Sequence, residues 1–321
     1  MAYTTINNPE LYFQSALWTG NGSTQDITLP GSADMALDMV WLKSRTNADW
    51  QDLTDKVRGA TKSLYPSEND AEGTIADAVT AFNSDGFSLG DNDQVNKNTQ
   101  KYVGWCWKAG TTSGIDTTGT DITPTSYSFN ATSKFSIIKF TGNDTDDQKL
   151  AHGLGVVPKF GMFKKLDSTG RWQTYHHTLA TNEKMYLDDT HAKVTDADAW
   201  SNDDPTSVNW VIGVEDDANE SGENLVAYSF GEVKGFSKFG SYIGNGNANG
   251  PMIYTGFRPA FVLIKKSNAS GTSWIIFDNK RLGYNSSNWT LAPDNNNDEA
   301  ENGDNGLIDL VSNGFKCRNT D

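Results

Sequence analysis

The chain has 321 residues and a formal charge of −15, long enough for two or three domains with cores of their own. That acidic balance opposes nucleic-acid backbones and anionic membrane surfaces, which favour clustered Lys and Arg, and no apolar run approaches the roughly 20 residues that cross a bilayer. Neither nucleic acid nor membrane insertion is expected. Ten Trp, eleven Tyr and fifteen Phe alternate with stretches of Gly, Asn, Asp, Ser and Thr, the composition of short strands separated by turns.

In chain order, the amino terminus "MAYTTINNPELYFQSALW" lacks the basic region and apolar core of a secretory signal. Next comes "WTGNGSTQDITL" at Trp18 to Leu29. Its glycines invite a phosphate-loop reading, but no Lys-Ser/Thr pair or helix start follows. Asn-Gly is a turn signal, and the stretch returns as "FTGNDTDDQKL" from Phe140 and "YIGNGNANGPMIY" from Tyr242. A turn in a repeated architecture is therefore expected.

The repeat continues. Apolar strands ending in a basic pair or its remnant read "DMVWLKSR" from Asp38, "KFGMFKKLDS" from Lys159 and "AFVLIKKSN" from Ala260. Strands led by Trp follow from Trp50, Trp172 and Trp274. "FNSDGFSLG" and "VSNGFKCR" come next in two copies, with "SVNWVIGV" in that place in the middle one. "KYVGWCWKAG" and "NLVAYSFGEVKG" close the first two copies.

The spacing gives units of about 100 residues, the size of a domain. The fold class expected is all-β, with tandem antiparallel β-sandwich or jelly-roll-like, lectin-like modules. The expected divisions are a segment 1–13, module 1 at 14–110, a polar linker at 111–134, module 2 at 135–235 and module 3 at 236–321. A short helix is expected within "DAEGTIADAVTAF", 70–82. Module 3 stops before a closing strand. Truncation is the favoured reading, with a strand supplied by a neighbouring subunit as the alternative, because an uncovered edge invites aggregation.

Chemistry is sparse. "ENDAE", Glu68 to Glu72, has the E-x-D-x-E spacing of some jelly-roll glycosidases, but Pro66 and Gly73 flank it and a solvated turn is expected. His176 and His177 are adjacent and so would face opposite ways on a strand; His152 opens a turn, and His191 lies in a polar loop. There is no H-E-x-x-H or C-x-x-C, and catalytic residues are not expected. Cys106 and Cys317 read as buried free thiols. Acidic loops at Glu215 to Asn224 and Asp294 to Gly306 offer oxygen ligands that calcium would accept, without EF-hand spacing. For sugar recognition the aromatic candidates are Trp18, Trp172, Trp274 and Trp289. The first three sit at strand positions and read as core. Trp289, with Asn285 and Asn288, lies in loop-like surroundings and is the expected glycan contact.

Taken together, "LWTGNGSTQDITL…DMVWLKSR…VRGATKSLY…FNSDGFSLG…YVGWCWKAG" and "YIGNGNANGPMIYTGFRPAFVLIKK" resemble a repeat-containing family of virion-associated, tail-fibre or appendage-like proteins of marine and cyanobacterial tailed phages. The resemblance spans the chain past residue 10. It implies a virion structural protein, made in the bacterial cytoplasm and assembled with other virion proteins. The expected form is a homo-oligomer, with a trimer as one option. Host-surface glycan attachment is expected, with capsid decoration and polysaccharide degradation as alternatives. It implies no enzymatic residues. The amino-terminal segment, with Tyr3, Leu11, Tyr12 and Phe13, is the expected anchor to the particle.

Overall fold

The computed structural model describes residues 4–281, 285, 289–301 and 308–320. Every ladder between its strands is antiparallel, and its two α-helices, Asp93–Asn96 and Asp216–Asn219, are one turn each. In the first segment a sheet runs in the order Phe13–Thr19, Lys101–Trp107, Met39–Ser44, Asp52–Asp55. A second sheet carries Gln25–Thr28, Gly86–Leu89 and Val79–Asn83. The middle segment has a seven-stranded sheet with Asn224–Phe230 between Phe135–Thr141 and Phe160–Lys165, and a pair Gln148–Ala151 with Asn209–Ile212. The last has Met252–Tyr254, Gly314–Cys317 and Ile308–Val311 in one sheet and pairs Phe261–Ile264 with Ile275–Asp278.

Strand period explains the layering. Successive side chains point to opposite faces, and the strands of the first four-stranded sheet are apolar on both. Val40, Leu42, Tyr102 and Cys106 point inward, where they meet Ile27, Val79 and Phe87 of the second sheet in a local core. Met39, Trp41, Val103 and Trp105 point the other way. There they join Ile137, Met162, Tyr228 and Trp172 of the middle segment and Trp274, Ile276 and Leu291 of the last. The inner sheets are thus buried on both faces, and one shared core links all three segments. Near-continuous apolar runs such as "MVWL" follow from that double burial.

Equivalent bonds recur where the segments meet. Glu72 N donates to Leu166 O, Lys193 N to Ser267 O, and Glu299 N to Arg45 O, each at 2.9 Å. Lys164 Nζ reaches Asn69 O (3.3 Å), Lys265 Nζ reaches Thr190 O (3.3 Å) and Lys43 Nζ reaches Asn296 O (3.0 Å). Trp172 Nε1 donates to Tyr65 O (2.9 Å), Trp274 Nε1 to Tyr186 O (2.8 Å), and Gln51 Nε2 to Ala292 O (2.5 Å). The first trio runs first to middle, middle to last and last to first, and the other two run in the reverse direction, so together they close a ring.

Two expectations are corrected. The stretch 70–82 is not helical: Gly73–Thr74 and Val79–Asn83 are strands, since β-branched Thr74, Val79 and Thr80 suit a pleat and Val79 is wholly buried opposite Leu89. Residues 111–134 do not form a free linker. Ser126–Asn130 pairs with Phe135–Thr141, Ile122 bridges to Leu150, and Ile122 sits in the middle segment's local core. The "TGN" stretch is the expected turn between two strands, and it joins two sheets, because Phe13–Thr19 and Gln25–Thr28 pair with different strands.

That turn is fixed by a buried asparagine. Asn96 Oδ1 accepts from Asn21 N (3.1 Å), and its Nδ2 donates to Ser23 O (2.5 Å) and Gly90 O (2.7 Å). Asn219 does the same for Asn143 N (3.0 Å), Thr145 O (2.9 Å) and Gly213 O (2.8 Å). A Cβ on Gly20 or Gly142 would collide with the Lys97 or Glu220 carbonyl, so the glycine allows this close backbone approach.

Candidate functional site

An open groove of about 1830 Å³ is lined by residues of all three segments. It lies where the last segment meets the other two. Its floor is aromatic, because strand ends from all three segments converge there. Phe13 packs on Trp107 (ring centroids 5.0 Å), Trp107 on Phe261 (5.6 Å), Phe135 on Phe230 (4.9 Å), and Phe160 stacks on Phe239 (6.4 Å). Exposed apolar side chains continue the surface: Ile243 is 90% and Tyr254 64% accessible. Six basic residues line the groove, Lys134, Lys238, Arg258, Lys265, Lys266 and Lys280, against one acid, Glu10. In a chain with 41 acidic and 26 basic residues, this is a local reversal of sign.

The residues singled out in the sequence fall elsewhere for the most part. Trp18, Trp172 and Trp274 are buried, as the core reading expects. Trp289 is half-buried in the strand Trp289–Thr290, paired with Ala300–Glu301. Asn285 is exposed, Asn288 lies outside the described residues, and neither Trp289 nor Asn285 lines the groove. Of the amino-terminal residues, Tyr3 lies outside the described residues and Leu11 is exposed. Tyr12 meets Phe236 edge to face (6.1 Å). Phe13 is a strand residue against Trp107 and Phe261, so a deletion reaching residue 13 removes a packing ring as well as any anchor.

Glu72 is committed to Arg58 (3.1 Å) and Lys62 (3.4 Å). Burial, with Asp70 and Asp188 nearby, raises the Glu68 pKa. The carboxylates of 215–224 serve the protein itself: Glu215 pairs with Lys184 (2.9 Å), Glu220 with Lys165 (2.6 Å), and Asp217 accepts from Arg171 N (2.8 Å). Among the described residues no three His, Cys, Asp or Glu are grouped to hold a metal ion. Cys106 and Cys317 are buried free thiols.

His152 is wholly buried in its turn, with Nε2 3.1 Å from Thr206 O and Nδ1 accepting from Leu154 N at 3.1 Å. Both nitrogens are satisfied by a neutral ring, and burial pushes the pKa down to about 4. The unfolded chain therefore takes up this proton near pH 6.5, before the folded one does. Stability should fall as pH drops from 6.5 towards 4, by about 3 kcal/mol from this group. His152→Gln should make that stretch of a denaturant-midpoint-against-pH profile shallower, the slope that remains coming in part from His176, whose pKa burial also pushes down to about 4. An unchanged slope in the variant would refute the assignment.

Two buried ionic clusters escaped the motif reading. Arg58 Nε meets Asp55 Oδ2 (2.6 Å), and its Nη1 meets Glu72. Arg281 Nε meets Asp278 Oδ2 (2.6 Å), and its Nη1 meets Glu299 Oε1 (2.8 Å). Each Asp also receives an aromatic donor from another segment: Tyr228 Oη to Asp55 (2.7 Å) and Trp105 Nε1 to Asp278 (3.1 Å). The signal was the repeated D-x-x-R of "DKVR" and "DNKR".

The fold and groove define an all-β, antiparallel, sandwich-like protein whose most prominent surface feature is an aromatic groove with a basic rim. The chain belongs to the family described as "Domain of unknown function (DUF7483)", whose model matches residues 8–321. No curated protein and no solved structure matches it.

Proposed function

We propose that the chain is a structural component of a tailed-phage particle, part of a fibre, spike or similar appendage that contributes to attachment at the host surface. It binds and performs no chemistry. The observation that carries this reading is the groove, a broad aromatic surface of positive sign on an acidic body, together with the phage-appendage wording of its sequence. A polysaccharide-degrading enzyme would need two carboxylates about 5–9 Å apart in its cleft, and Glu10 is the single acidic residue of the lining. Decoration of the capsid is the second reading, favoured by the exposure of Ile243 and Tyr254, which suit burial against a neighbouring subunit.

Intact particles labelled with an antibody against residues 135–235 and viewed by electron microscopy test both readings. Label on tails or protruding fibres is the expected result. An even coat over the head would replace attachment by decoration, and unlabelled particles would end the virion reading.

A further inference from the structure

One buried amide of the middle segment stands out from the pattern of its neighbours. Gln173 is aligned with Asp52 and Ile275 of the other segments by the pairs Phe163–Gln173, Leu42–Asp52 and Ile264–Ile275. It is wholly buried, and its backbone is fixed in ladders to Phe163 and Tyr186. Its Oε1 accepts from Lys184 Nζ (3.3 Å), while its Nε2 has no hydrogen-bond partner. Turning the amide over would set two donors against each other, so the contact dictates this orientation. A buried donor left unmet is costly and uncommon.

Lys184 is buried as deeply, on the neighbouring strand Glu183–Tyr186, and its backbone pairs with Val194 on the other side. Its Nζ meets Asp196 Oδ2 at 2.8 Å and Glu215 Oε1 at 2.9 Å, and the Tyr186 ring lies 5.3 Å away. Burial works against the charge of Lys184, but the two carboxylates outweigh it and hold the proton in place. Burial raises the Glu215 pKa, Lys184 opposes that shift, and Asp196 beside it adds to it. A carboxylate so placed is suited to taking up a proton and giving it back. An amine, a carboxamide and two carboxylates thus stand within hydrogen-bond reach of one another, on strands whose ladders keep them there.

We propose that this cluster is a self-modification site, at which Lys184 Nζ and Gln173 Cδ join in an isopeptide bond with loss of ammonia. A turn of the Gln173 amide about its last side-chain bond, a soft torsion, presents Cδ to Nζ. Asp196 takes one Nζ proton, and the freed amine adds to Cδ. Glu215 takes a second Nζ proton as the intermediate collapses. The Cδ–Nε2 bond breaks, and the two carried protons leave with Nε2 as ammonium. Nζ keeps one hydrogen in a secondary amide, both carboxylates are regenerated, and nothing is oxidised or reduced. Fixed partners make such a step unimolecular, which is how proximity replaces a separate catalyst. The bond forms once in each chain and no substrate is turned over, so the inference goes beyond the virion reading and does not depend on it. It would tie Gln173–His176 to Glu183–Tyr186 covalently and remove the unmet Nε2 from the interior.

The test is the intact mass of the whole purified chain, fresh and after several days at neutral pH, followed by tryptic mapping. The mass should be lower than the sequence requires by one ammonia. Trypsin should no longer cut after Lys184, and should release 172–193 as one peptide that gives no backbone fragments between 173 and 184. Lys184→Arg should keep its full mass. Glu215→Gln, which preserves the shape and a hydrogen bond to Lys184, should keep its full mass as well. Should either variant fold poorly, the parent mass and map decide alone. Full mass with ordinary cleavage after Lys184, or an ammonia loss that maps to other residues, overturns the proposal. Closure of the bond in folded Glu215→Gln at the parent's rate would remove Glu215 from the proposed mechanism.

Discussion

Replacing Arg58 by methionine should destabilise the protein by about 3–5 kcal/mol, the usual cost of leaving a buried carboxylate without its partner. The Arg58 and Asp55 side chains are inaccessible to solvent, and Glu72 is partly buried. The guanidinium also bonds to Leu53 O (2.8 Å) and Lys62 O (3.1 Å), so with Asp55 and Glu72 it makes four hydrogen bonds in one place, none of which methionine can replace. Denaturant unfolding of the variant is the measurement. Because Tyr228 from the middle segment donates to the same Asp55, the lesion should be felt across the interface as well as within the first segment. Combining Asp55→Leu, Arg58→Met, Glu72→Met and Tyr228→Phe should recover much of the loss, since apolar replacement of a whole buried ionic cluster is often close to neutral. A single variant within about 1 kcal/mol of the parent would show that solvent reaches the cluster.

Asn96→Ala should cost on the order of 3 kcal/mol, because it strands Asn21 N, Ser23 O and Gly90 O, some of them buried, at about 1–3 kcal/mol for each group left unmet. Asn96→Asp keeps the shape but places an acceptor against two carbonyls. Its carboxyl should stay protonated in the fold, with a pKa above the unfolded value. The stability of Asn96→Asp should therefore be greatest in acid and be lost as pH rises above about 4. A flat profile between pH 4 and 7, measured by denaturant midpoint, would mean that the turn opens to water instead.

Much of this architecture was legible because strands carry a period of two. "DMVWLKSR", "KFGMFKKLDS" and "AFVLIKKSN" marked the inner strands, and their unbroken apolar runs already implied cover on both faces. What covers the second face was not legible: that Trp41 and Trp105 meet Tyr228 and Trp274 depends on contacts far apart in sequence. The stretch 70–82 misled because alanines suggested a helix, while Val79 and Phe82 were needed opposite Leu89 and Phe87. The groove could not be seen in any local motif. Its aromatic floor draws Phe13, Trp107, Phe135, Phe160 and Phe261 from five separate strands. Trp289 stood out by its polar neighbours, a local property that says nothing about convergence.

Closure of the ring has a consequence for synthesis. The Arg45–Glu299 pair joins residues 254 apart, so the first segment leaves the ribosome with its second apolar face uncovered. At about 5–20 residues per second, the last segment arrives some 10–50 seconds later. During that interval the nascent chain carries Met39, Trp41, Val103 and Trp105 towards water, and its safety depends on chaperones or on the charge of the emerging surface. The second apolar face of the first segment is fully covered only once the last segment has been made.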